Sequence, residues 1–267
     1  MKLNNILVVI RGGGDLATGV AVRLFRAGFK IIILEIERPT VIRLPLSFAR
    51  TVYENKAVIE GIEGVLVSSY GKVKNIINQR KIAVLVDPDG SYIDKFNPTV
   101  LVDAILAKRN LGTRKEQAPL VIGLGPGFAA GEDVDVVIET MRGHNLGRLY
   151  YQGQAAPDTG VPGEVGGESI RRLLRAPAEG EITLLHSIGD MVEVGEVIAE
   201  VEGFPLKAEI SGVLRGLIYP QSWVTRGMKV GDIDPRGIRE YCFTVSDKAR
   251  SIGGAVLEAI CAYLNKK

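Results

Sequence analysis

The stretch Ile6-Leu-Val-Val-Ile10-Arg-Gly-Gly-Gly14 decides the fold of this chain. Its apolar half has the length of one strand and no polar position, which is typical of a strand covered on both faces. After the glycines, apolar residues recur at helical spacing, and Gly28 stands where a helix should end. A second apolar run, residues 31–34, closes at Glu35. Strand, helix and strand within about thirty residues predict a right-handed βαβ unit.

Strand-like and helical segments continue to alternate beyond this unit. Apolar runs at residues 65–68, 82–86 and 100–106, with a helical stretch at residues 70–79, follow one another along the chain. A short helix capped by Ser47 is also predicted. This order predicts an α/β protein with a Rossmann-like, doubly wound, mostly parallel sheet.

The pattern changes near residue 176. From there to residue 236, short strands are punctuated by glycines, which is typical of a small β-barrel. Residues 246–266 are amphipathic with a four-residue apolar spacing, so we expect a helix that packs back on the first domain. The predicted parts are therefore an α/β domain with a glycine-rich loop region (1–175), an inserted β-barrel module (176–236), and a C-terminal strand and helix (237–267).

Composition narrows the class of protein. The chain has 267 residues, of which 46% are hydrophobic and 24% charged, and this excludes bulk disorder. No apolar run has the length of a signal peptide or a membrane span, so we expect a cytoplasmic protein with no membrane partner. Cys242 and Cys261 are expected to be reduced thiols in a core.

Charge is distributed unevenly along the chain. The first 110 residues hold 16 Lys and Arg against 10 Asp and Glu. This excess suits a small anionic ligand, and it is too weak to indicate nucleic acid. Whether the protein forms a homo-oligomer is left open.

The first glycine cluster matches the alanine-ended dinucleotide fingerprint, Gly12-x-Gly14-x-x-Ala17. Glycines let the backbone approach a pyrophosphate, whose charge meets free N–H groups at the start of a helix. Glu35 stands where an acid that binds ribose is expected. Asp15 argues against this interpretation, because its carboxylate would repel phosphate unless it caps the helix or binds a hydroxyl. The alternative is a glycine turn that only packs strand on helix.

A second cluster offers further candidate residues. Gly125 and Gly127 also follow a strand, although Pro126 removes one N–H from any phosphate cradle, and a tight bend is the alternative. The glycine-rich loop that follows contains Arg142, His144 and Arg148, which could bind an anion or remain solvated. The sequence contains no nucleophile elbow, Walker lysine, zinc-protease motif or clustered metal ligands. Catalytic residues therefore stay unknown, and no metal is expected.

Several long motifs together resemble the accessory proteins of selenium-dependent molybdenum hydroxylases, over nearly the whole chain. They include Arg11-Gly-Gly-Gly-Asp-Leu-Ala-Thr-Gly19, Glu139-Thr-Met-Arg-Gly-His144, Asp158-Thr-Gly-Val-Pro-Gly163 and Gly231-Asp-Ile-Asp-Pro-Arg236. The resemblance implies a role in maturing enzymes such as xanthine dehydrogenase, with the client hydroxylase as partner. It implies no molecular activity.

The segment 176–236 resembles a biotinyl- or lipoyl-type barrel. Gly189-Asp-Met-Val-Glu-Val-Gly195 matches an early turn of such domains. The hairpin that would carry the modified lysine reads Val201-Glu-Gly-Phe-Pro-Leu206, and Lys207 lies in the strand after it. We therefore expect no covalent biotin or lipoate, and a barrel that is structural or docks a partner.

Two hypotheses follow. In the first, the chain is a maturation factor whose Rossmann-like domain binds NAD(P), FAD or a molybdenum-cofactor nucleotide. In the second, it is an NAD(P)-dependent oxidoreductase, although no Tyr-x-x-x-Lys pair stands where a hydride substrate would need a proton relay.

Overall fold

The structure, a computed structural model, describes residues 3–266 and contains two compact units. The first unit comprises the residues up to Pro39, Ser47–Asp158 and the residues from Val245 onward. The second unit comprises Thr40–Leu46 and Thr159–Thr244. Within the described residues, every helix is too short or too polar to cross a membrane.

The first unit combines helices with one large sheet. Its strands are β1 (Leu7–Arg11), β2 (Lys30–Glu35), β3 (Lys56–Ile59), β4 (Ile62–Leu66), β5 (Ile82–Val86), β6 (Val100–Asp103), β7 (Leu120–Leu124), β8 (Val136–Ile138) and β9 (Leu149–Tyr150). Its helices are α1 (Asp15–Arg26), α2 (Thr51–Glu54), α3 (Tyr70–Asn78), α4 (Ile93–Phe96) and α5 (Asp247–Leu264).

The nine strands lie in the order β3-β4-β5-β2-β1-β6-β7-β8-β9. Neighbours from β4 to β8 are parallel. β3 and β9 pair antiparallel at the two edges. The predicted α/β class with a mostly parallel sheet is thus confirmed. β1 and β6 are buried along almost their whole length because both faces are covered, which explains their unbroken apolar runs.

α1 and α5 pack against each other through small residues. A Cβ atom at Gly19 would lie 2.6 Å from the Ala249 Cβ, and one at Gly253 would lie 2.7 Å from the Gly19 carbonyl oxygen. Arg23 also contacts Gly253, so residue numbers increase together along both helices. The two helices therefore run in the same direction, and both begin at the carboxyl edge of the sheet.

The second unit contains two antiparallel sheets. Its strands are β10 (Leu173–Arg175), β11 (Gly180–Leu184), β12 (Met191–Val192), β13 (Val197–Val201), β14 (Phe204–Lys207), β15 (Gly212–Leu217), β16 (Trp223–Val224) and β17 (Lys229–Asp234). They form the sheets β10-β17-β15-β12 and β14-β13-β11-β16. One apolar core takes residues from both, such as Ile182 and Val201 from the second sheet and Leu214 and Ile233 from the first.

The boundaries of the units differ from the predicted ones. The second unit begins at Thr159, where a boundary at residue 175 was predicted, and it also includes Thr40–Leu46. Pairing explains both extensions. β10 is hydrogen-bonded to β17, and Arg43 forms a parallel bridge with Leu217 of β15.

Three local predictions are wrong, the first of them only in part. The predicted short helix after Ser47 is present as a 3-10 turn, Phe48–Arg50, followed by α2, but the Ser47 side chain makes no capping hydrogen bond and its hydroxyl donates instead to the Gly13 carbonyl oxygen at 2.7 Å. Cys261 is exposed, since it lies on the outer face of α5, whereas Cys242 is buried. Where the C-terminal strand was predicted, the chain forms a 3-10 helix, Arg239–Cys242. Only Cys242 of this helix is buried.

Candidate functional site

The candidate site lies at the carboxyl edge of the nine-stranded sheet. β1 has β2 on one side and β6 on the other, so the chain reverses its direction of travel across the sheet at β1. Ligands of open α/β sheets bind in the crevice outside the carboxyl ends of strands at such a reversal. The residues that follow β1 are the glycines of the first cluster.

Two of these glycines are required by packing. Gly12 has φ +88°, and a Cβ atom there would lie 3.0 Å from the Ala104 carbonyl oxygen. A Cβ atom at Gly13 would lie 2.9 Å from the Ala49 amide nitrogen. That same amide donates to the Gly13 carbonyl oxygen at 2.9 Å. The turn is therefore held between the end of β6 and the residues before α2.

Gly14 is different. Its φ of −67° and ψ of −175° are extended values that any residue can adopt, so its backbone conformation does not require glycine. It is the N-cap residue of α1, which has no side-chain capping hydrogen bond within residues 3–266. Ala17 is fully buried, which fits the close helix–strand packing of the third fingerprint position.

Glu35 ties the end of β2 to the glycine turn. Its Oε2 accepts from the Gly13 amide and its Oε1 from the Ile36 amide, each at 2.7 Å. Burial raises the pKa of the Glu35 carboxyl above its usual value, and the two backbone hydrogen bonds oppose this shift. A carboxylate offers about four lone-pair positions, so both oxygens can still accept from a ligand hydroxyl.

A buried ion pair, missed in the sequence analysis, lies beside the turn. Arg11 ends β1, Asp103 ends β6, and their Nη1 and Oδ2 atoms are 3.4 Å apart. The Thr113 hydroxyl accepts from Arg11 Nη1 at 2.6 Å and donates to Asp103 Oδ2 at 2.5 Å. Each of the three residues is at most 3% exposed. The sequence held a clue, since a single charged residue ends each of two otherwise apolar strands.

Lys248, which no sequence pattern indicated, lies in the first turn of α5. Burial lowers the pKa of its ammonium below the usual value and Arg142 lowers it further, while Asp15, Glu139 and Asp247 oppose the shift. Lys248 thus lies in the field of Asp15, the residue that argued against phosphate. Lys248 lies close to Asp15 because the next residue, Ala249, packs against Gly19 of α1.

The second glycine cluster is tightly packed. The Gly125 amide donates to the Ile138 carbonyl oxygen at 2.8 Å, and a Cβ atom at Gly125 would lie 2.5 Å from Thr140 Oγ1. A Cβ atom at Gly127 would lie 2.6 Å from the Arg109 Cα. Both glycines have positive φ. Positive φ and close packing, against the Thr140 side chain at Gly125 and against the Arg109 backbone at Gly127, therefore explain both residues, and their binding of an anion stays a prediction.

The loop between β8 and β9 gives its basic residues separate environments. Arg142 donates to both carboxylate oxygens of Asp247, at 2.7 and 3.0 Å. Arg148 donates to Asn145 Oδ1 at 3.2 Å and lies 5.9 Å from the Tyr150 ring centroid. His144 is exposed. Among the described contacts, none is common to all three side chains.

No group of three or more His, Cys, Asp or Glu side chains within residues 3–266 has a geometry that could hold a metal ion. The donors at this edge of the sheet are instead backbone amides, Lys248 and Arg142. These groups bind anions.

Comparison with known proteins finds one extended relative and weak structural likenesses. No protein-family model matches the chain. It is 48% identical over 260 residues to YqeB of Escherichia coli K12, a protein described as uncharacterized. That match covers 97% of this chain and 48% of the relative, so the chain spans about half of the relative's length.

Two solved structures illustrate the likenesses. The Escherichia coli tRNA N6-threonylcarbamoyladenosine dehydratase TcdA, in complex with AMP, is 11% identical with a TM-score of 0.31, covering 98% of this chain and 89% of that one. The product-bound ectoine utilization protein EutE from Ruegeria pomeroyi is 12% identical with a TM-score of 0.23, covering 85% and 56%. Scores of this size do not establish a shared fold.

Proposed function

We propose that this chain is a cytoplasmic accessory protein that matures selenium-dependent molybdenum hydroxylases, and that its first unit binds a nucleotide or a nucleotide-bearing cofactor. The observation that carries the proposal is Gly14. The backbone conformation of Gly14 does not require glycine. The residue lies at the start of α1, which has no side-chain cap among the described residues, and next to β1, where the strand order reverses. An approaching phosphate explains such a residue, because it needs the room that a side chain would fill.

The charges around α1 support an anionic ligand. A cation in the first turn of a helix is disfavoured by the helix dipole, yet Lys248 occupies that position in α5. Its field acts on Asp15 and offsets the repulsion that this carboxylate would exert on a phosphate. α1 and α5 begin side by side, so both dipoles favour negative charge at the same place.

The position of Glu35 supports the proposal that the ligand contains a nucleoside. It lies at the end of β2, next to β1, where the acid of a dinucleotide site meets the ribose. Its two amide contacts hold the carboxylate in place. Accordingly, we interpret the large sheet as Rossmann-like.

We propose that the second unit is the part of the chain that docks the client hydroxylase. Short strands, glycine turns and a core shared by two sheets support a barrel of the biotinyl or lipoyl type. Its exposed apolar side chains include Met191, Phe204 and Trp223, each at least 59% exposed. Such residues are common in protein interfaces.

The decisive experiment is to identify the ligand. Small molecules that copurify with the protein would be released by denaturation and analysed by mass spectrometry. Calorimetric titration with NAD, NADP, FAD and molybdenum-cofactor nucleotides would then give affinities. Absence of binding by all of these compounds would refute the nucleotide proposal.

The two loop arginines give a separate prediction. If Arg142 and Arg148 bind an anionic group, alanine at either position should weaken affinity by roughly ten- to a hundredfold, because a charge-assisted hydrogen bond contributes about 1.5–3 kcal/mol. If Arg142 serves only its surface ion pair with Asp247 and Arg148 is solvated, the unfolding free energy should change by less than about 1 kcal/mol and affinity should stay constant. Full activation of a client hydroxylase by the double variant would show that this loop is not the working site.

The barrel gives another prediction, on covalent modification. The mass of the intact protein should equal the mass of its sequence, because Lys207 lies within β14, paired with Val197, and not at a hairpin tip. Intact-mass spectrometry after expression with biotin and lipoate supplied tests this. A mass increase of biotinyl or lipoyl size at Lys207 would contradict it.

A further inference from the structure

A buried layer of charged side chains lies on one face of β17. Asp232 and Asp234 are two residues apart and therefore point to the same side of the strand, while Ile233 between them belongs to the apolar core. Both carboxylates are buried, at 4% and 1% exposure. Buried carboxylates need cationic partners.

Three arginines supply these partners. Arg172 pairs with Asp232 and also donates through Nη2 to the Gly163 carbonyl oxygen at 3.2 Å. Arg215 Nη1 donates to Asp234 Oδ2 at 3.2 Å, and Arg236 donates to the same carboxylate through Nε and Nη2, at 2.9 and 2.6 Å. Strand pairing shifts between Leu214 and Gly216, so Arg215 lies at a β-bulge, a feature that often redirects a side chain toward a site.

Positive charge exceeds negative charge in this layer. Arg172, Arg215 and Arg236 face two aspartates, and Lys229 adds a fourth cation. Although Lys229 is exposed as a residue, partial desolvation of its ammonium lowers the pKa of that group, and Arg172, Arg215 and Arg175 lower it further, against the opposing effect of Asp232. The two aspartates match the two buried arginines, and the excess positive charge comes from Arg236, whose side chain is 42% exposed, and from the exposed Lys229.

Two donors in the layer have no acceptor among the described residues. They are the Nε atoms of Arg172 and Arg215, each in a residue that is 8% exposed. Buried N–H groups are nearly always paired in proteins, and unmade hydrogen bonds of a guanidinium are particularly unfavourable. Guanidinium groups bind carboxylate and phosphate oxygens through such forked donors.

We propose that the second unit binds a small oxyanion, a phosphate or carboxylate group, between Arg172, Arg215 and Lys229. The anion accepts from the two arginine Nε atoms and balances the excess charge. This site is independent of the nucleotide site proposed for the first unit, since all its residues lie in the second unit.

Calorimetry on the full chain tests this proposal with inorganic phosphate and acetate as probes, in chloride buffer of constant ionic strength. The Gly14→Val variant serves as background, because it removes the proposed phosphate position of the first unit. We expect binding of at least one probe, weakened about tenfold or more by Arg215→Gln and by Lys229→Met. The preferred probe identifies the class of oxyanion.

A matched control is available in the same segment. Arg171 is exposed and pairs with Glu168, so Arg171→Gln should leave probe affinity unchanged. Lys229 is exposed, and its variant should fold even where Arg215→Gln does not. Absence of binding by both probes at about 10 mM, or equal affinity in Lys229→Met and Arg171→Gln, would overturn the proposal.

Discussion

Gly14→Val is expected to abolish nucleotide binding, with an affinity loss of about a hundredfold or more, and to leave the protein folded. Gly14 has φ −67° and ψ −175°, which valine adopts without strain, and the residue is only partly buried. The valine side chain would occupy the space where a phosphate has to approach the α1 amides. Calorimetric titration of the nucleotide bound by wild type measures the loss, and circular dichroism checks the fold.

The neighbouring glycine provides the matched control. A Cβ atom at Gly13 would lie 2.9 Å from the Ala49 amide nitrogen, so Gly13→Ala forces the turn apart. Overpacking of this kind costs about 1–3 kcal/mol of unfolding free energy. We therefore expect Gly13→Ala to lower stability and Gly14→Val to lower affinity. Unchanged affinity in Gly14→Val would show that the cluster only packs strand on helix.

The first βαβ unit could be predicted from the sequence because its contacts are local. β1, α1 and β2 begin and end within a residue or two of the predicted positions, since unbroken apolar runs and Gly28 mark them clearly. β3 was missed. It has only four residues, and they alternate between exposed and buried, a pattern too short to separate from a loop.

Only those residues of the candidate site that lie close together in the sequence could be predicted. Gly12, Gly14 and Glu35 lie together because one βαβ unit carries all three. Arg142 illustrates the opposite case. Its acceptor, Asp247, is 105 residues away, so no local pattern distinguishes a surface ion pair from an anion-binding loop.

Lys248 and the Arg11–Asp103 pair were missed for the same reason. Lys248 reaches the field of Asp15 only through the packing of α5 on α1. Arg11 and Asp103 meet because β1 and β6 are neighbours in the sheet, with Arg11 opposite Asp103 in the register. Only the strand order shows this, and it is set by the whole sheet.

Asp103→Ala is expected to produce the largest loss of stability, about 3–5 kcal/mol of unfolding free energy. The change removes the carboxylate but leaves the Arg11 guanidinium buried at 3% exposure, with Thr113 and carbonyl oxygens as its remaining partners. An uncompensated buried charge is far more unfavourable than a missing surface pair. At roughly 2–4 °C per kcal/mol, the melting temperature should fall by about 6–20 °C.

An exposed ion pair of the same unit supplies the comparison. Lys108 and Asp158 are 2.6 Å apart with side chains 57% and 37% exposed, so Lys108→Ala should change the unfolding free energy by less than about 1 kcal/mol. The double replacement Arg11→Met with Asp103→Leu should recover much of the loss, because apolar side chains of similar size remove both charges together. Urea denaturation of the three variants measures these differences. Equal stability of Asp103→Ala and Lys108→Ala would mean that Arg11 finds water on loss of its partner, and that the carboxyl ends of β1 and β6 are open to solvent.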